Sequence, residues 1–273
     1  MKEYLQNLHT HTIYDDGKDT PESIVQRAIE LGFDTIGFSG HSYMYFAPSI
    51  GMTPEATVEY NRVVRELKQK YADRISVLCG LEYEMLSDVP HDGYDYLIGS
   101  THYLKINGEI VGIDRDAATV ENVINTYFDG NDLRYAEAFF EATTHLHEYG
   151  QFDIVGHYDL LNKHCEKTHF FDVESSAYQK IALDAVHEIT KHFRLFEVNT
   201  GAIARGYRTT PYPLPFILKE LKQLGCEVCI SSDCHDRMKL NEHFGACLDL
   251  IQSCGFTDVT VMTKDGFKGV KIG

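Results

Sequence analysis

The chain has 273 residues, 43% of them hydrophobic and 24% charged, with a formal net charge of −16. That length suits an α/β domain with an ample core, and residues 1–273 are read as a single domain. No apolar run approaches the length of a membrane span, and the strong negative charge argues against a nucleic-acid surface, which needs stripes of Lys and Arg. The N-terminus lacks the basic-then-apolar layout of a signal peptide, and the seven cysteines are an odd number, so the expectation is a cytoplasmic protein with reduced thiols.

In chain order, an apolar run over residues 4–8 ends in His9-Thr10-His11. On an extended backbone, positions i and i+2 share a side, so both imidazoles can reach one metal ion. Asp16 follows in a glycine-containing turn. Thr20-Pro21-Glu22 is a helix start, with a cap residue, proline at the first helical position and an acid in the first turn, and Gly32 stops that helix. Residues 35–39 form a short strand followed by Gly40-His41. A long helix runs from Thr53-Pro54 toward Tyr71. Residues 75–81 form a strand with Glu82 at its end, and residues 96–100 another, followed by Thr101-His102. Asn107-Gly108 between two apolar runs is a hairpin signal, because a type I′ turn needs positive φ at both central residues. That hairpin is read as an insertion over the strand ends, a candidate lid. Helices over 120–128 and 133–147 precede a strand at 152–155, which ends in Gly156-His157. A helix over 175–192, a strand over 195–198 followed by Asn199, and a helix over 213–224 come next. A strand over 227–230 then leads into Ser231-Ser232-Asp233-Cys234-His235. A helix over 240–253 and a strand over 259–262 close the chain. Cys226 and Cys229 fit a Cys-x-x-Cys spacing, but positions i and i+3 of a strand face opposite ways, so they are read as core thiols.

Alternation of strand and helix with short connections implies parallel strands and right-handed crossovers. Polar residues after nearly every strand favour a closed barrel, where all strand ends meet at one mouth, over an open sheet. Six of the 14 histidines fall at those ends. The other eight (His91, His145, His147, His164, His169, His187, His192 and His243) are read as solvated or locally bonded. His9, His11, Asp16, His41, Glu82, His102, His157, Asp233 and His235 are the candidate metal ligands. Nine donors mixing nitrogen and carboxylate oxygen suit two or three catalytic ions rather than one closed structural zinc. Such ions would also let an acidic protein bind an anion, because they dominate the local field. Three divalent ions against three carboxylates leave a positive surplus that a hydroxide and a phosphate dianion would balance.

Taken together, His9-Thr10-His11, Gly40-His41, Gly80-Leu81-Glu82, Gly99-Ser100-Thr101-His102, Val155-Gly156-His157-Tyr158-Asp159-Leu160 and Ser231-Ser232-Asp233-Cys234-His235 resemble the polymerase and histidinol phosphatase (PHP) superfamily, and within it the histidinol-phosphate phosphatases. The resemblance runs from His9 to about Asp236. It implies a distorted (β/α)7 barrel with three divalent ions (Zn, Mn or Fe) at the C-terminal ends of the strands. It further implies that His9, His11, Glu82 and Asp233 hold a first ion, that Glu82 bridges to a second also held by His102 and His157, and that Asp16, His41 and His235 hold the third. The implied reaction is hydrolysis of L-histidinol phosphate by metal-activated water, with Glu82, Asp233 and His235 at the reacting centre. The chain departs from the pattern at Gly40, where relatives carry Asp, so a contact behind the ligands is expected to be missing. Arg205, six residues after Asn199, and Lys163, six after His157, are candidate phosphate contacts. Tyr103, with Tyr43, Glu109 and Asp114, is placed near the histidinol moiety by position. Two alternatives remain at this stage: a phosphoesterase of this superfamily acting on phosphotyrosine protein or nucleotide, and a non-catalytic interaction module.

Overall fold

In the computed structural model, residues 4–168 and 170–273 are described; His169 lies outside them. Eleven strands occur along these residues: β1 (Gln6–Asn7), β2 (Thr35–Phe38), β3 (Ser76–Glu84), β4 (Tyr96–Ser100), β5 (Tyr103–Ile106), β6 (Glu109–Gly112), β7 (Ile154–Val155), β8 (Leu195–Asn199), β9 (Glu227–Ser231), β10 (Asp258–Thr263) and β11 (Gly266–Lys271). Seven of them form one sheet in the order β1-β2-β3-β4-β7-β8-β9, every pair parallel. The ends meet through a parallel bridge between Thr10 and Cys234, where Cys234 N donates to His9 O (3.0 Å) and His11 N to Cys234 O (2.9 Å). The expected seven-stranded α/β barrel is therefore the architecture found. Among the described residues, no helix is long and apolar enough to cross a membrane.

The helices start where the sequence signals them. Thr20, Thr53 and Ser175 each cap with a side-chain oxygen, and Gly32 closes the first helix in the left-handed region at φ +78°. Amphipathic faces such as Ile24, Val25 and Ala28 bury against the outside of the sheet in the main core. A second, smaller cluster of Leu8, Leu78, Tyr96, Ile98, Ile154, Leu195 and Cys229 fills the barrel interior below the site. Tyr96 is its pin: the phenol donates to Leu8 O and to Phe38 O (3.1 Å). Gly37 and Gly80 make room for it, since a Cβ at either would run into the ring. The antiparallel pair β10–β11 stoppers the far end of the barrel. Met262 and Phe267 pack on the interior cluster, while Gln6 exchanges bonds with Thr260 O (3.2 Å) and Met262 N (2.8 Å).

Several boundaries differ from the sequence reading. β3 continues to Glu84, so Glu82 lies inside the strand rather than past its end. The helix expected over 213–224 runs from Pro215 to Gln223. Asn199 and Tyr212 pair across an antiparallel bridge, and Leu214, preceding a proline, is held extended, so the chain cannot coil earlier. The helix expected over 240–253 begins at Phe244, because Leu240 O accepts from Asn7 and Ser232 instead of from a following turn. The terminal strand has a partner the sequence reading missed, β11. Cys226 and Cys229 are buried and free, as are the other five cysteines.

Candidate metal centre

All nine candidate ligands arrive at one mouth. Asn7 fixes the approach of the first two: its Oδ1 accepts from His9 N (3.0 Å), and its Nδ2 donates to Ser232 Oγ (2.6 Å) across the closing seam. The turn after His11 is tight. Gly17 N donates to Thr12 O (3.0 Å), and a Cβ at Gly17 would overlap the backbone of His11 and Thr12. This turn swings Asp16 back over the site. Asp233 adopts φ +46°, a left-handed conformation that Asp tolerates better than most residues and that recurs at functional positions.

Glu82 sits at the middle, fully buried. Its Oε2 faces His41 Nδ1 (2.8 Å), His9 Nε2 (3.1 Å) and His11 Nε2 (3.6 Å). Its Oε1 faces His157 Nε2 (3.0 Å) and His102 Nε2 (3.3 Å). Asp233 Oδ1 lies 3.2 Å from His11 Nε2, and Asp16 Oδ1 lies 3.2 Å from His235 Nε2. Three sets of donors are each mutually within 4.8 Å: His9, His11 and Asp233; His11, Asp16, His41 and His235; and His41, Glu82 and His102. The first fits the first ion of the resemblance, without Glu82. The second fits the third ion with His11 added. The third puts His41 beside Glu82 and His102, where the resemblance has His157.

Three further carboxylates, which the sequence reading passed over, stand behind these histidines. Glu197 accepts from His9 Nδ1 (2.6 Å), Asp15 from His11 Nδ1 (2.6 Å), and Glu84 from His102 Nδ1 (3.0 Å). Each contact fixes the ring and turns its Nε2 toward the centre, as carboxylates behind metal-bound histidines do. Asp15 also accepts from His41 N (3.1 Å). Its carboxyl occupies the space beside Gly40, where a Cβ would come within 3.2 Å of it. The contact expected to be missing at Gly40 is thus supplied from the neighbouring turn. Asn199 faces Glu197 rather than the centre, donating to its Oε2 (3.0 Å).

The donor set fits metal ions. His9 Nε2, His11 Nε2, His41 Nδ1 and Glu82 Oε2 are buried, aimed into one space and, among the described residues, without a hydrogen-bond partner, which is costly unless a cation takes the lone pairs. Electrostatics point the same way. Burial opposes charge on every group here. Even so, Glu197, Glu82 and Asp233 hold His9 well above the usual imidazole range, and Asp15 pushes His11 up to about 10. Against the same burial, His9, His41 and His102 hold Glu82 well below the carboxylate range, and Arg205 and His9 do so for Asp233. A site that binds protons this avidly is one that wants positive charge.

Arg205 is at the site, but in this structure its fork grips Asp233. Nη2 donates to Oδ2 (2.8 Å) and Nη1 to the backbone O (2.8 Å). Lys163 pairs with Asp114 (2.7 Å). Tyr103, on β5, packs on Phe46 (ring centroids 4.9 Å apart); burial first, then Asp114, Glu84 and Asp16, push its phenol up to about 12. Tyr43 offers its carbonyl to Ser87 (2.9 Å), and Glu109 is exposed and bonded to Tyr127. Among the described residues, no hydrogen bond or ion pair joins either of them to the centre.

With a seven-stranded barrel and this histidine-carboxylate mouth established, comparison with known proteins agrees. The chain belongs to the PHP domain family, whose model matches residues 7–201. It is similar to the "Probable histidinol-phosphatase" of Schizosaccharomyces pombe, 22% identical over 266 residues covering 89% of this chain and 84% of that protein. It is also similar to the protein of the same name from Deinococcus radiodurans, 26% identical over 280 residues covering 94% of this chain and 96% of that protein. Among solved structures it resembles histidinol phosphate phosphatase from Lactococcus lactis in complex with Zn, L-histidinol and phosphate. The TM-score is 0.74 at 17% identity, covering 96% of this chain and 98% of that one.

Proposed function

We propose that this chain is a metal-dependent phosphomonoesterase that hydrolyses L-histidinol phosphate to L-histidinol and phosphate, acting as one barrel domain in the cytoplasm. The observation that carries the reading is Glu82, one carboxylate with imidazoles crowding both oxygens; that is the arrangement of a bridging ligand between ions. The full-length similarity to histidinol-phosphatases supports the substrate. Seven free, buried thiols support a reducing compartment.

We assign His9, His11, Glu82 and Asp233 to one ion, Glu82, His102 and His157 to a second, and Asp16, His41 and His235 to a third. Zn, Mn and Fe all suit such a nitrogen and carboxylate mixture. Divalent ions there supply the Lewis-acid charge that acidifies water and neutralises phosphoryl oxygens. The chain's own residues do the rest. Arg205 exchanges one arm of its grip on Asp233 for a phosphate oxygen, and its planar fork spans both. Lys163 adds a second positive charge on the side of Asp114. Asp233, held ionised by Arg205 and His9 and 3.5 Å from His235 Nδ1, accepts a hydrogen bond from the attacking water and orients it, and the proton that water gives up is the one the leaving alcohol takes. The β5–β6 hairpin and Phe46 wall one side of the mouth, which suits a small monoester better than a protein or polynucleotide.

Phosphate release from L-histidinol phosphate, phosphotyrosine and a nucleoside monophosphate tests the reading. The expected result is the highest kcat/KM on histidinol phosphate, and equal or better turnover of either competitor would overturn it. Arg205→Ala is expected to raise KM for the ester about tenfold or more, the worth of a charge-assisted hydrogen bond; an unaltered KM removes Arg205 from phosphate binding.

A further inference from the structure

We infer that Asp114 is the seat of the substrate's cationic group, so that the site selects phosphate monoesters whose alcohol also carries an ammonium. This rests on the phosphatase reading above and adds what chooses the alcohol.

Asp114 lies two residues past the end of β6, and the backbone there is fixed from three directions. Ile113 N donates to His102 O (3.0 Å), Tyr135 OH donates to Ile113 O (3.1 Å), and His164 Nε2 bonds to Asp114 O (3.0 Å). The backbone that carries the carboxylate is therefore held in place beside His102. That carboxylate is close enough to the centre for His102 and His157 to act on it, and Arg205 is within its field. Asp114 differs from the three backing carboxylates. Asp15, Glu84 and Glu197 are each engaged by an imidazole Nδ1. Among the described residues the ion pair of Asp114 is with Lys163 alone, Nζ to Oδ2 at 2.7 Å.

A primary ammonium thus already occupies the position, and it belongs to the most mobile kind of cationic side chain, a compact charge on a flexible stem. When a phosphate dianion enters, Lys163 gains a more highly charged partner beside it. Its departure leaves Asp114 half-buried and unpaired, which is costly unless another cation arrives. A substrate bearing both phosphate and ammonium supplies both halves of that exchange. An ester without the amine leaves Asp114 stranded or keeps Lys163 from the phosphate.

The test compares L-histidinol phosphate with its deaminated analogue, 3-(imidazol-4-yl)propyl phosphate, in the metal-loaded protein and in Asp114→Asn. The wild type is expected to favour the amine-bearing ester by about tenfold to a hundredfold in kcat/KM. Asp114→Asn frees Lys163 whichever ester binds, so it is expected to lose most of that preference through KM, which rises for the amine-bearing ester and falls for the deaminated one, while the urea unfolding midpoint reports whether the fold is intact. Retained preference in the variant, an equal loss on both esters, or no amine preference in the wild type would overturn the assignment. Failure of the phosphatase reading looks different: neither imidazole ester would be turned over faster than phosphotyrosine.

Discussion

At the scale of single residues, the site is a layered object: six imidazoles and three carboxylates inside, and three further carboxylates behind the rings. Removing the charge behind one ring should loosen metal without removing a ligand. Glu197→Gln and Asp15→Asn are each expected to weaken metal affinity about 10- to 100-fold, measured by competition with a chromophoric chelator; unchanged affinity would mean that these carboxylates only fill space. The nine residues that meet at the mouth were legible in the sequence because polar side chains follow nearly every strand of the alternating pattern. The backing carboxylates were not. Asp15 adjoins Asp16, and only the fold of the Thr12–Gly17 turn decides which faces His235 and which backs His11. Glu84 and Glu197 each sit two residues from a position already noticed, on the same strand face. Period-two reasoning could have found Glu84 had β3 not been ended at Leu81. Arg205 lies beside the candidate ligands, but its hold on Asp233 depends on a loop conformation no local pattern encodes.

At the scale of elements, the mouth depends on short strands being held in register from below. Tyr96 ties β1 and β2 together through Leu8 O and Phe38 O, one residue before His9 and three before His41. Tyr96→Phe leaves two buried carbonyls without that donor and is expected to cost about 1–3 kcal/mol, read as a lower urea midpoint with an unchanged slope; an unshifted midpoint would show that the phenol is dispensable. Truncation before β10 uncovers the lower barrel around Ile154 and Leu195 and is expected to lower the melting temperature. The strand order was readable from alternation and short connections. The β10–β11 stopper was not, since Gly266–Lys271 carries two glycines and two lysines and shows no clear apolar face. Helix starts were read well, because caps and prolines are local. Starts displaced by tertiary bonds, at Pro215 and Phe244, were not.

For the whole molecule, the acidic composition acquires a location. Asp15, Asp16, Glu82, Glu84, Glu197 and Asp233 crowd one mouth with Asp114 beside them, so the positive surplus expected from nine ligands and three ions shrinks, and Arg205 and Lys163 offset part of the difference. Without metal, protons take the cations' place. His11 is raised from its ordinary value near 6.5 to about 10. Its contribution to stability is therefore complete below about 6.5 and is lost as pH climbs toward 10. Chelated protein is expected to melt at progressively lower temperature across that window, and metal-loaded protein to lose this dependence. A flat profile for the chelated form would contradict the electrostatic reading. Metal binding at pH 7 should correspondingly release protons, visible by calorimetry in buffers of different ionisation enthalpy. The most direct measurement is phosphate release from L-histidinol phosphate by the purified protein before chelation, after it, and after divalent metal is restored. The expected course is activity, its loss and its recovery; equal rates before and after complete metal removal would contradict the central claim.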